Sequence, residues 1–141
     1  MIDLHLHTTA SDGEHAPADL VARARAAGLR VVGVTDHDTT AGWAEASAAA
    51  AARGMTFVPG IEISAAHEGR DVHVLGYFAR PAAPAIEGFL EVQRADRLRR
   101  AREAAARLAR LGAPIDIDAL VAGLAPGRSI GRPQLAAALV R

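Results

Sequence analysis

The first 80 residues alternate between the apolar patterns of strands and those of helices. Residues 2–7 alternate apolar and polar side chains, which predicts a strand with Asp3, His5 and His7 on one face. Four further short β-branched or apolar runs predict strands: residues 30–35, 55–58, 61–64 and 70–78. Two helices are predicted between the first strands: Pro17 to about Ala27, and an alanine-rich helix from an N-cap at Thr40 to about Gly54.

This alternation of strands and helices predicts a parallel α/β layout. Two turns are predicted later, at Pro59-Gly60 and at Glu68-Gly69. After Pro81 the pattern becomes helical, so two regions are expected, residues 1–80 and residues 81–141. The expected helical elements are a long arginine-rich helix from about Glu87 to Leu111, a short one from Asp116 or Asp118, a loop over residues 127–133 and a helix over residues 134–140.

Composition excludes several classes of chemistry. All 16 basic residues are arginines, and the chain contains no cysteine. P-loop and Schiff-base lysines, a carboxylated-lysine metal bridge, disulfides, thiolate metal sites and cysteine nucleophiles are therefore excluded. No apolar run is long enough to span a membrane, and the N-terminus lacks the basic and apolar regions of a secretory signal, so a cytoplasmic location is expected.

A net charge of zero hides an asymmetry between the two regions. Residues 1–80 carry ten acidic residues and six arginines, whereas residues 81–141 carry six acidic residues and ten arginines. All six histidines lie within the first 73 residues. The first region is therefore suited to hold cations and the second to meet anions.

Six potential metal ligands lie at or near predicted strand ends: His5, His7, Asp12, His37, Glu62 and His73. Because the ends of successive parallel strands meet on one face, these side chains are expected to converge. Imidazoles and carboxylates without thiolates favour Zn, Mn or Fe. The set predicts a catalytic site of two or three divalent ions, with Glu62 as a potential bridging carboxylate.

Each of these residues alone has an ordinary structural explanation. His5, His7 and His73 fit hydrogen-bonded core histidines, His37 fits a surface residue in a capping loop, and Glu62 fits an edge position. Their shared placement is what supports the metal hypothesis. His15 and His67 lack that placement and are expected to be solvated, although His15 is close enough to Asp12 to compete with it as a ligand.

Four segments resemble, in order, the motifs of the PHP (polymerase and histidinol phosphatase) superfamily. They are residues 2–13 (IDLHLHTTASDG), 34–39 (VTDHDT), 59–64 (PGIEIS) and 72–77 (VHVLGY). The stretch from Arg94 to Val140 resembles the helical insertion of bacterial PHP phosphoesterases that act on nucleoside 3′,5′-bisphosphates, 5′-nucleotides or RNA 5′ ends. The resemblance implies a distorted seven-stranded β/α barrel, of which this chain would hold only the N-terminal part and the insertion.

The same resemblance implies a trinuclear site and matches family ligands to this chain. The implied metal ligands are His5, His7, Asp12, His37, Glu62 and His73, and Glu62 and His37 are expected to take part in catalysis. Family members carry three more ligands, a histidine and an Asp-x-His pair, and the chain ends before them, so a fragment or truncated gene product is expected. Gln134 stands where the family commonly has a histidine, which affects phosphate contact or proton transfer.

The expected reaction is hydrolysis of nucleotide phosphate esters or RNA 5′ ends by a hydroxide that bridges the metal ions. Arg128 and Arg132 are expected to bind the substrate phosphate, with solvated loop charges as the alternative. The arginines over residues 97–102 are expected to form a solvated helix face, with RNA backbone contact as the alternative.

Two other functions remain open at this point: a truncated non-catalytic metal-binding module and an amidohydrolase-type metal hydrolase. The absence of lysine removes the usual bridging ligand of the latter. Self-association is one way in which an open sheet would be completed.

Overall fold

Nine helices and strands follow one another in the computed structural model, which describes residues 1–78 and 84–140. They are β1 (Ile2–Leu6), α1 (Pro17–Ala26), β2 (Val31–Val34), α2 (Trp43–Ala51), β3 (Thr56–His67), β4 (Arg70–Tyr77), α3 (Pro84–Arg110), α4 (Ile117–Ala122) and α5 (Arg132–Leu139). Residues 1–78 are called the half-barrel and residues 84–140 the helical region. No helix in these described residues is both long and apolar enough to cross a membrane.

The four strands form one curled sheet in the order β1-β2-β3-β4. The pairs β1–β2 and β2–β3 are parallel, and α1 and α2 connect them in sequence. This confirms the predicted alternating α/β order and the partial, distorted β/α barrel with a helical insertion. The predicted boundary between residues 80 and 81 lies outside the described residues.

β3 passes through Pro59-Gly60 without turning, so the predicted turn there is wrong. Residues 56–59 of β3 pair with β2, whereas residues 60–67 pair with β4. The Pro-Gly pair therefore marks the place where the strand changes partner. Proline has no N–H to donate to a neighbouring strand, and its carbonyl here accepts a hydrogen bond from the Phe78 N–H at 2.8 Å.

β3 and β4 form an antiparallel hairpin around the predicted turn at Glu68-Gly69, which is confirmed. His67 pairs with Arg70, and the two turn residues have positive φ angles of 50° and 75°. Two successive left-handed residues are the geometry that two-residue hairpin loops favour, and glycine adopts it without steric strain. Because two residues cannot carry the chain back to a parallel start, β4 must run antiparallel to β3.

The start of α2 differs from the predicted cap at Thr40. The helix begins at Trp43 with Gly42 at the N-cap position, and no side chain caps it. Its first residue is held by tertiary contacts, because the buried indole of Trp43 donates from Nε1 to the Gly60 carbonyl at 2.8 Å. The contact with β3 therefore decides where this helix begins.

The helical region contains the long helix that the sequence predicts, now bounded as Pro84–Arg110. Asp116 caps α4 by accepting a hydrogen bond from the Ala119 N–H at 2.9 Å, as expected. α5 begins at Arg132, so the prediction of a loop through residues 132 and 133 is wrong. Pro133 fits the first helical turn, where its missing N–H leaves no bond unmade. Gln134 accepts the N–H of the cap residue Gly131 at 2.8 Å.

The apolar core is divided into three small clusters. One lies between the sheet and the alanine faces of α1 and α2. Another, around Trp43, Ile61 and Leu90, joins α3 to the sheet, and a third joins the helices of the helical region. Leu90 is only 1% exposed and is the largest fully buried side chain of α3. It is therefore the main apolar anchor of the helical region on the half-barrel.

Replacing Leu90 with alanine is expected to lower the free energy of unfolding by about 2–5 kcal/mol, because a buried cavity replaces the side chain. Urea denaturation followed by the fluorescence of Trp43 measures this loss, since both residues belong to one cluster. The same substitution at Leu111, which is 81% exposed, is expected to change stability by no more than about 0.5 kcal/mol. Equal losses for the two variants would contradict the assignment of Leu90 as the anchor.

Candidate metal centre

β1 delivers two imidazoles to one side of the half-barrel. His5 lies in β1 and His7 directly follows it, two residues on, so both point to the same side and reach the carboxylate of Glu62. His5 Nε2 lies 2.7 Å and His7 Nε2 3.0 Å from Glu62 Oε2. The strand-end argument made from the sequence is therefore consistent with the geometry at β1.

His37 reaches the same carboxylate from the segment that follows β2. An isolated bridge pairs residue 37 with Glu62, and the Asp38 N–H donates to the Glu62 carbonyl at 3.0 Å. The imidazole is 9% exposed, with Nδ1 3.9 Å from Glu62 Oε1 and Nε2 3.6 Å from Asp12 Oδ2. His37 therefore lies between the two carboxylates of the cluster.

Glu62 and His73 come from the middle of strands, which the strand-end argument did not foresee. In the β3–β4 register Glu62 faces Leu75, and His73 faces Ser64. Glu62 and His73 are thus diagonal neighbours on one face of the hairpin, which is close enough for side-chain contact. His73 Nδ1 is hydrogen-bonded to Glu62 Oε1. The antiparallel hairpin brings these two residues together.

The six side chains form three groups that share members. The groups are His5-His7-Glu62, His7-Asp12-His37 and His37-Glu62-His73, and within each the candidate ligand atoms lie within 4.8 Å of one another. Two ligands of one divalent ion at bond lengths near 2.0–2.2 Å are separated by about 3–4 Å. Among the described residues no group hydrogen-bonds to the buried Nδ1 atoms of His7 and His37. A cation is a suitable partner for such nitrogens, so the donor set fits divalent metals.

The protonation states of His37 and Glu62 suit metal binding at neutral pH. Burial, followed by the nearby charge of Arg97, lowers the pKa of His37 from 6.5 to about 4. Burial alone would raise the pKa of Glu62, yet hydrogen bonds from His5 and His73 bring it below its ordinary value. A neutral imidazole and an ionised carboxylate are the forms that bind a cation, so little proton release is required.

A buried carboxylate that the sequence analysis did not single out supports the loop carrying Asp12. Asp36 is fully buried and accepts from the N–H and the hydroxyl of Thr8, each at 2.7 Å, and from the Ser11 hydroxyl at 2.6 Å. The loop also packs too closely for a side chain at Gly13, whose Cβ would lie 2.2 Å from the His7 carbonyl oxygen. Asp36 directly follows a buried β-branched strand in the sequence. This position could have indicated that its carboxylate is buried.

A cavity of about 420 Å³ lies beside the cluster, between the half-barrel and the helical region. Its walls include Asp12, His37 and His73 on one side and three arginines, Arg97, Arg100 and Arg132, among the residues on the other. The acidic and histidine-rich half of the chain thus meets the arginine-rich half at this cavity. An anion next to bound cations is the ligand that such walls favour.

The two predicted phosphate contacts are placed differently. Arg132 lines the cavity from the first turn of α5, with an exposed ion pair to Asp71 at 2.9 Å. Arg128 points to the loop before Asp12 and donates to the Thr9 carbonyl at 3.1 Å. Nearby, Gln134 donates its side-chain N–H to the Ser11 carbonyl, which attaches α5 to the same loop.

Arg97 is the arginine that the sequence analysis misplaced. Residues 97–102 were expected to form a solvated face, and Arg99 and Arg102 are indeed about half exposed. The side chain of Arg97, however, is only 11% exposed and pairs with Asp38. The signal was helical spacing, because residue 97 lies seven after Leu90 and four before Ala101, both on the buried face.

The remaining histidines lie away from the cluster. His67 is 81% exposed at the hairpin end of β3. His15 is half-buried and borders a separate shallow cavity along α1 that includes Asp19 and Arg23. Within residues 1–78 and 84–140, neither belongs to a group of side chains that could hold a metal ion.

Comparison with known proteins identifies the family of this chain. The model of the PHP domain family matches residues 3–106. The chain belongs to the PHP family. It is 43% identical over 111 residues to a 3′,5′-nucleoside bisphosphate phosphatase of Chromobacterium violaceum, covering 79% of this chain and 39% of the relative. It is 42% identical over 116 residues to a 5′-3′ exoribonuclease of Haemophilus influenzae, covering 82% of this chain and 42% of the relative.

Two solved structures share the fold of this chain. A Chromobacterium violaceum protein described as an amidohydrolase, with bound sulfate and no metal, superposes with a TM-score of 0.89 at 39% identity. A Bifidobacterium adolescentis protein for which metal-dependent phosphoesterase activity has been suggested superposes with a TM-score of 0.88 at 41% identity. Each match covers 99% of this chain and 49% of the other. This PHP chain therefore spans about half the length of the structures it matches, and less of the relatives compared by sequence.

The lowered pKa of His37 predicts acid sensitivity of the metal-free protein. Between pH 6.5 and about 4 the unfolded chain protonates this imidazole and the folded chain does not, so stability falls as the pH falls. The loss attributable to His37 is expected to be about 3 kcal/mol. Urea denaturation in EDTA across this pH range measures it, and His37→Asn is expected to flatten the dependence. Identical pH dependences for the two proteins would contradict the burial of a neutral His37.

Proposed function

We propose that this chain supplies a divalent-metal site for the hydrolysis of phosphate esters of nucleotides or RNA 5′ ends. One observation carries the proposal: four imidazoles and two carboxylates form shared ligand groups around Glu62 and border a cavity lined with arginines. The names of the relatives support the substrate class, since they include a nucleoside bisphosphate phosphatase and an exoribonuclease. They also include a phosphoribosyl cyclic phosphate diphosphodiesterase of Eggerthella lenta, 40% identical over 86 residues.

The proposed metal ligands are the six side chains of the cluster: His5, His7, Asp12, His37, Glu62 and His73. The two oxygens of Glu62 face different partners, which supports a bridging role for this carboxylate. Oε2 faces His5 and His7, whereas Oε1 faces His73 and His37. Nitrogen and oxygen donors without sulfur suit Mn, Zn or Fe, and the shared groups leave room for two or three ions.

Bound divalent ions would lower the pKa of a water molecule and polarise a phosphoryl oxygen. The protein side chains have separate tasks. Glu62 provides a buried negative charge at the centre of the cluster, and His37 remains neutral, with its imidazole between Glu62 and Asp12. These two residues are proposed to be catalytic because each belongs to two of the three ligand groups and is buried.

Arg132 and Arg100 are proposed to bind the substrate phosphate from the helical side of the cavity. The pair between Arg132 and Asp71 is solvent-exposed and therefore weak, so a phosphate can compete for the guanidinium. A planar guanidinium binds two phosphate oxygens at once, which a single ammonium group does not. Arg128 is proposed to assist indirectly, by holding the loop before Asp12 through the Thr9 carbonyl.

One feature favours a second candidate, a metal-binding module without turnover. The side chains of His5 and His73 are 49% and 43% exposed, so the cluster is open to solvent on their sides. Water in an open site weakens the electrostatic interactions that stabilise a transition state. Only the first candidate hydrolyses a phosphate ester, so a hydrolysis assay distinguishes the two.

The ligand assignment predicts metal loss in His7→Ala and Glu62→Ala. Each variant is expected to bind Mn²⁺ at least about tenfold more weakly than the wild type, because a side chain proposed to contact the metal directly is removed. Isothermal titration and metal analysis after gel filtration measure the affinity and the content. His67→Ala removes an exposed histidine and is expected to bind metal as the wild type does. Unchanged metal content in both cluster variants would sink the assignment.

The reaction assignment predicts Mn²⁺-dependent release of phosphate from a nucleoside 3′,5′-bisphosphate or a 5′-nucleotide, or of nucleotides from a 5′-phosphorylated oligoribonucleotide. EDTA is expected to abolish this release. Arg132→Met is expected to raise KM about tenfold, because a charge-assisted contact is worth about 1.5–3 kcal/mol. Arg102→Met, on the exposed pair with Asp118, serves as the control. Metal binding without release of phosphate or of nucleotides would favour the non-catalytic module, and turnover of amide or lactone substrates would favour an amidohydrolase.

A further inference from the structure

Asp38 follows the candidate ligand His37 directly and has an unusual environment. It is fully buried, and its backbone is left-handed, with a φ of 53°. This conformation is uncommon outside glycine, although aspartate and asparagine tolerate it better than other residues. Its N–H donates to the Glu62 carbonyl, so the backbone at Asp38 sets the spacing between His37 and Glu62.

The carboxylate of Asp38 is hydrogen-bonded both to the backbone of β3 and to a side chain of the helical region. Oδ1 accepts the Ser64 N–H at 2.9 Å, and Oδ2 accepts Arg97 Nε at 2.6 Å. Arg97 also donates from Nη2 to the Ser64 hydroxyl at 2.6 Å. In the part of the chain that the structure describes, Arg97 is the cation within ion-pair distance of this carboxylate.

A buried carboxylate without a counter-charge is strongly unfavourable, so removing Arg97 would force Asp38 to move or to admit water. The left-handed backbone makes movement easier, because leaving it relieves strain. Any such movement would break the bond from Asp38 to Glu62 and displace His37. Arg94, one helical turn earlier, donates to the Asp38 carbonyl at 3.2 Å and attaches the same point to α3.

We propose that Arg97 and Asp38 are a positioning pair, through which helix α3 holds His37 in the cluster. The inference rests on the proposed metal site and adds to it a dependence on the helical region. Arg97 acts here through Asp38 and does not need to touch a substrate, although its side chain borders the cavity. The packing of α3 against the half-barrel and the position of His37 in the cluster are therefore expected to change together.

The test compares Arg97→Met with the double variant Asp38→Asn/Arg97→Met. In the single variant the Asp38 charge loses its partner, and the affinity for Mn²⁺ without phosphate is expected to fall roughly 10- to 100-fold, as for other groups that orient ligands. In the double variant asparagine keeps the acceptor for Ser64, tolerates the left-handed backbone and carries no charge. It is therefore expected to recover most of the affinity. If Arg97 instead only binds phosphate directly, the single variant is expected to keep the wild-type affinity for Mn²⁺ measured without phosphate.

A second measurement does not depend on metal. Diethyl pyrocarbonate modification of His37 in EDTA, followed by peptide mass spectrometry, reports how well this imidazole is held. Its rate is expected to rise about tenfold in Arg97→Met through easier local opening, and to return toward the wild-type rate in the double variant. Arg99→Met, on the same helix with exposed ion pairs to Asp96 and Glu103, is expected to change neither measurement.

The two measurements separate the failure of this inference from the failure of the metal site. Wild-type protein that binds no Mn²⁺, while His37 protection still depends on Arg97, would overturn the metal site and leave the positioning pair standing. Wild-type affinity and His37 protection in Arg97→Met would overturn the positioning pair. Should Arg97→Met not fold, Arg97→Lys replaces it, since an ammonium cannot serve Asp38 and Ser64 together as the guanidinium does. A smaller change in the same direction is then expected, and no change would overturn the proposal.

Discussion

The buried carboxylate of Glu62 is the constraint on which the arrangement of the half-barrel depends. A carboxylate that is only 5% exposed must have hydrogen-bond donors or cations around it, because burying an unpaired charge is very unfavourable. Here the partners are imidazoles from three other segments: His5 and His7 at β1, His37 after β2 and His73 on β4. The curl of the sheet brings these segments together around Glu62. The polar centre therefore depends on both the strand order and the curvature of the sheet.

The helical region is attached to that centre by one apolar cluster and by several polar contacts. Half of the residues are hydrophobic, but 34 of them are alanines, which bury little area each. Leu90 supplies one apolar anchor, and buried or half-buried polar groups supply much of the remaining attachment. Arg97 meets Asp38, Thr39 donates to the Gly127 carbonyl at 2.5 Å, and Gln134 reaches the Ser11 carbonyl. Asp38 is next to the candidate ligand His37, and Ser11 is next to Asp12. These contacts therefore attach the helical region to the segments that carry two of the candidate ligands.

Gln134 links two segments at this junction through its side chain. Its side-chain oxygen accepts a hydrogen bond from the Gly131 N–H at the start of α5, and its side-chain N–H donates to the Ser11 carbonyl in the loop before Asp12. Both polar atoms of the side chain are thus hydrogen-bonded within the protein. Arg132, two positions earlier, faces the cavity and remains available to an anion.

Local patterns were sufficient for the elements, because strand alternation, helical spacing and turn residues act over a few neighbours. The strand of His5 and His7, the hairpin at Glu68-Gly69 and the cap at Asp116 could all be predicted in this way. Pro59-Gly60 could not, since the same dipeptide forms a turn or continues a strand depending on which strands lie beside it. The start of α2 also depended on a distant contact, between Trp43 and Gly60.

For the candidate site, the sequence by itself determined the six polar side chains and the order of the motifs that carry them. It also determined the opposite charge balance of the two halves. Only the tertiary structure decided that Glu62 and His73 meet as diagonal neighbours of an antiparallel pair, that Arg97 is buried against Asp38, and that Arg128 and Arg132 point to different places. The physical reason is that residue type and spacing specify chemistry and local conformation. Burial and the pairing of charges depend instead on contacts between segments far apart in the chain, which arise only when the sheet has curled and the helices have packed against it.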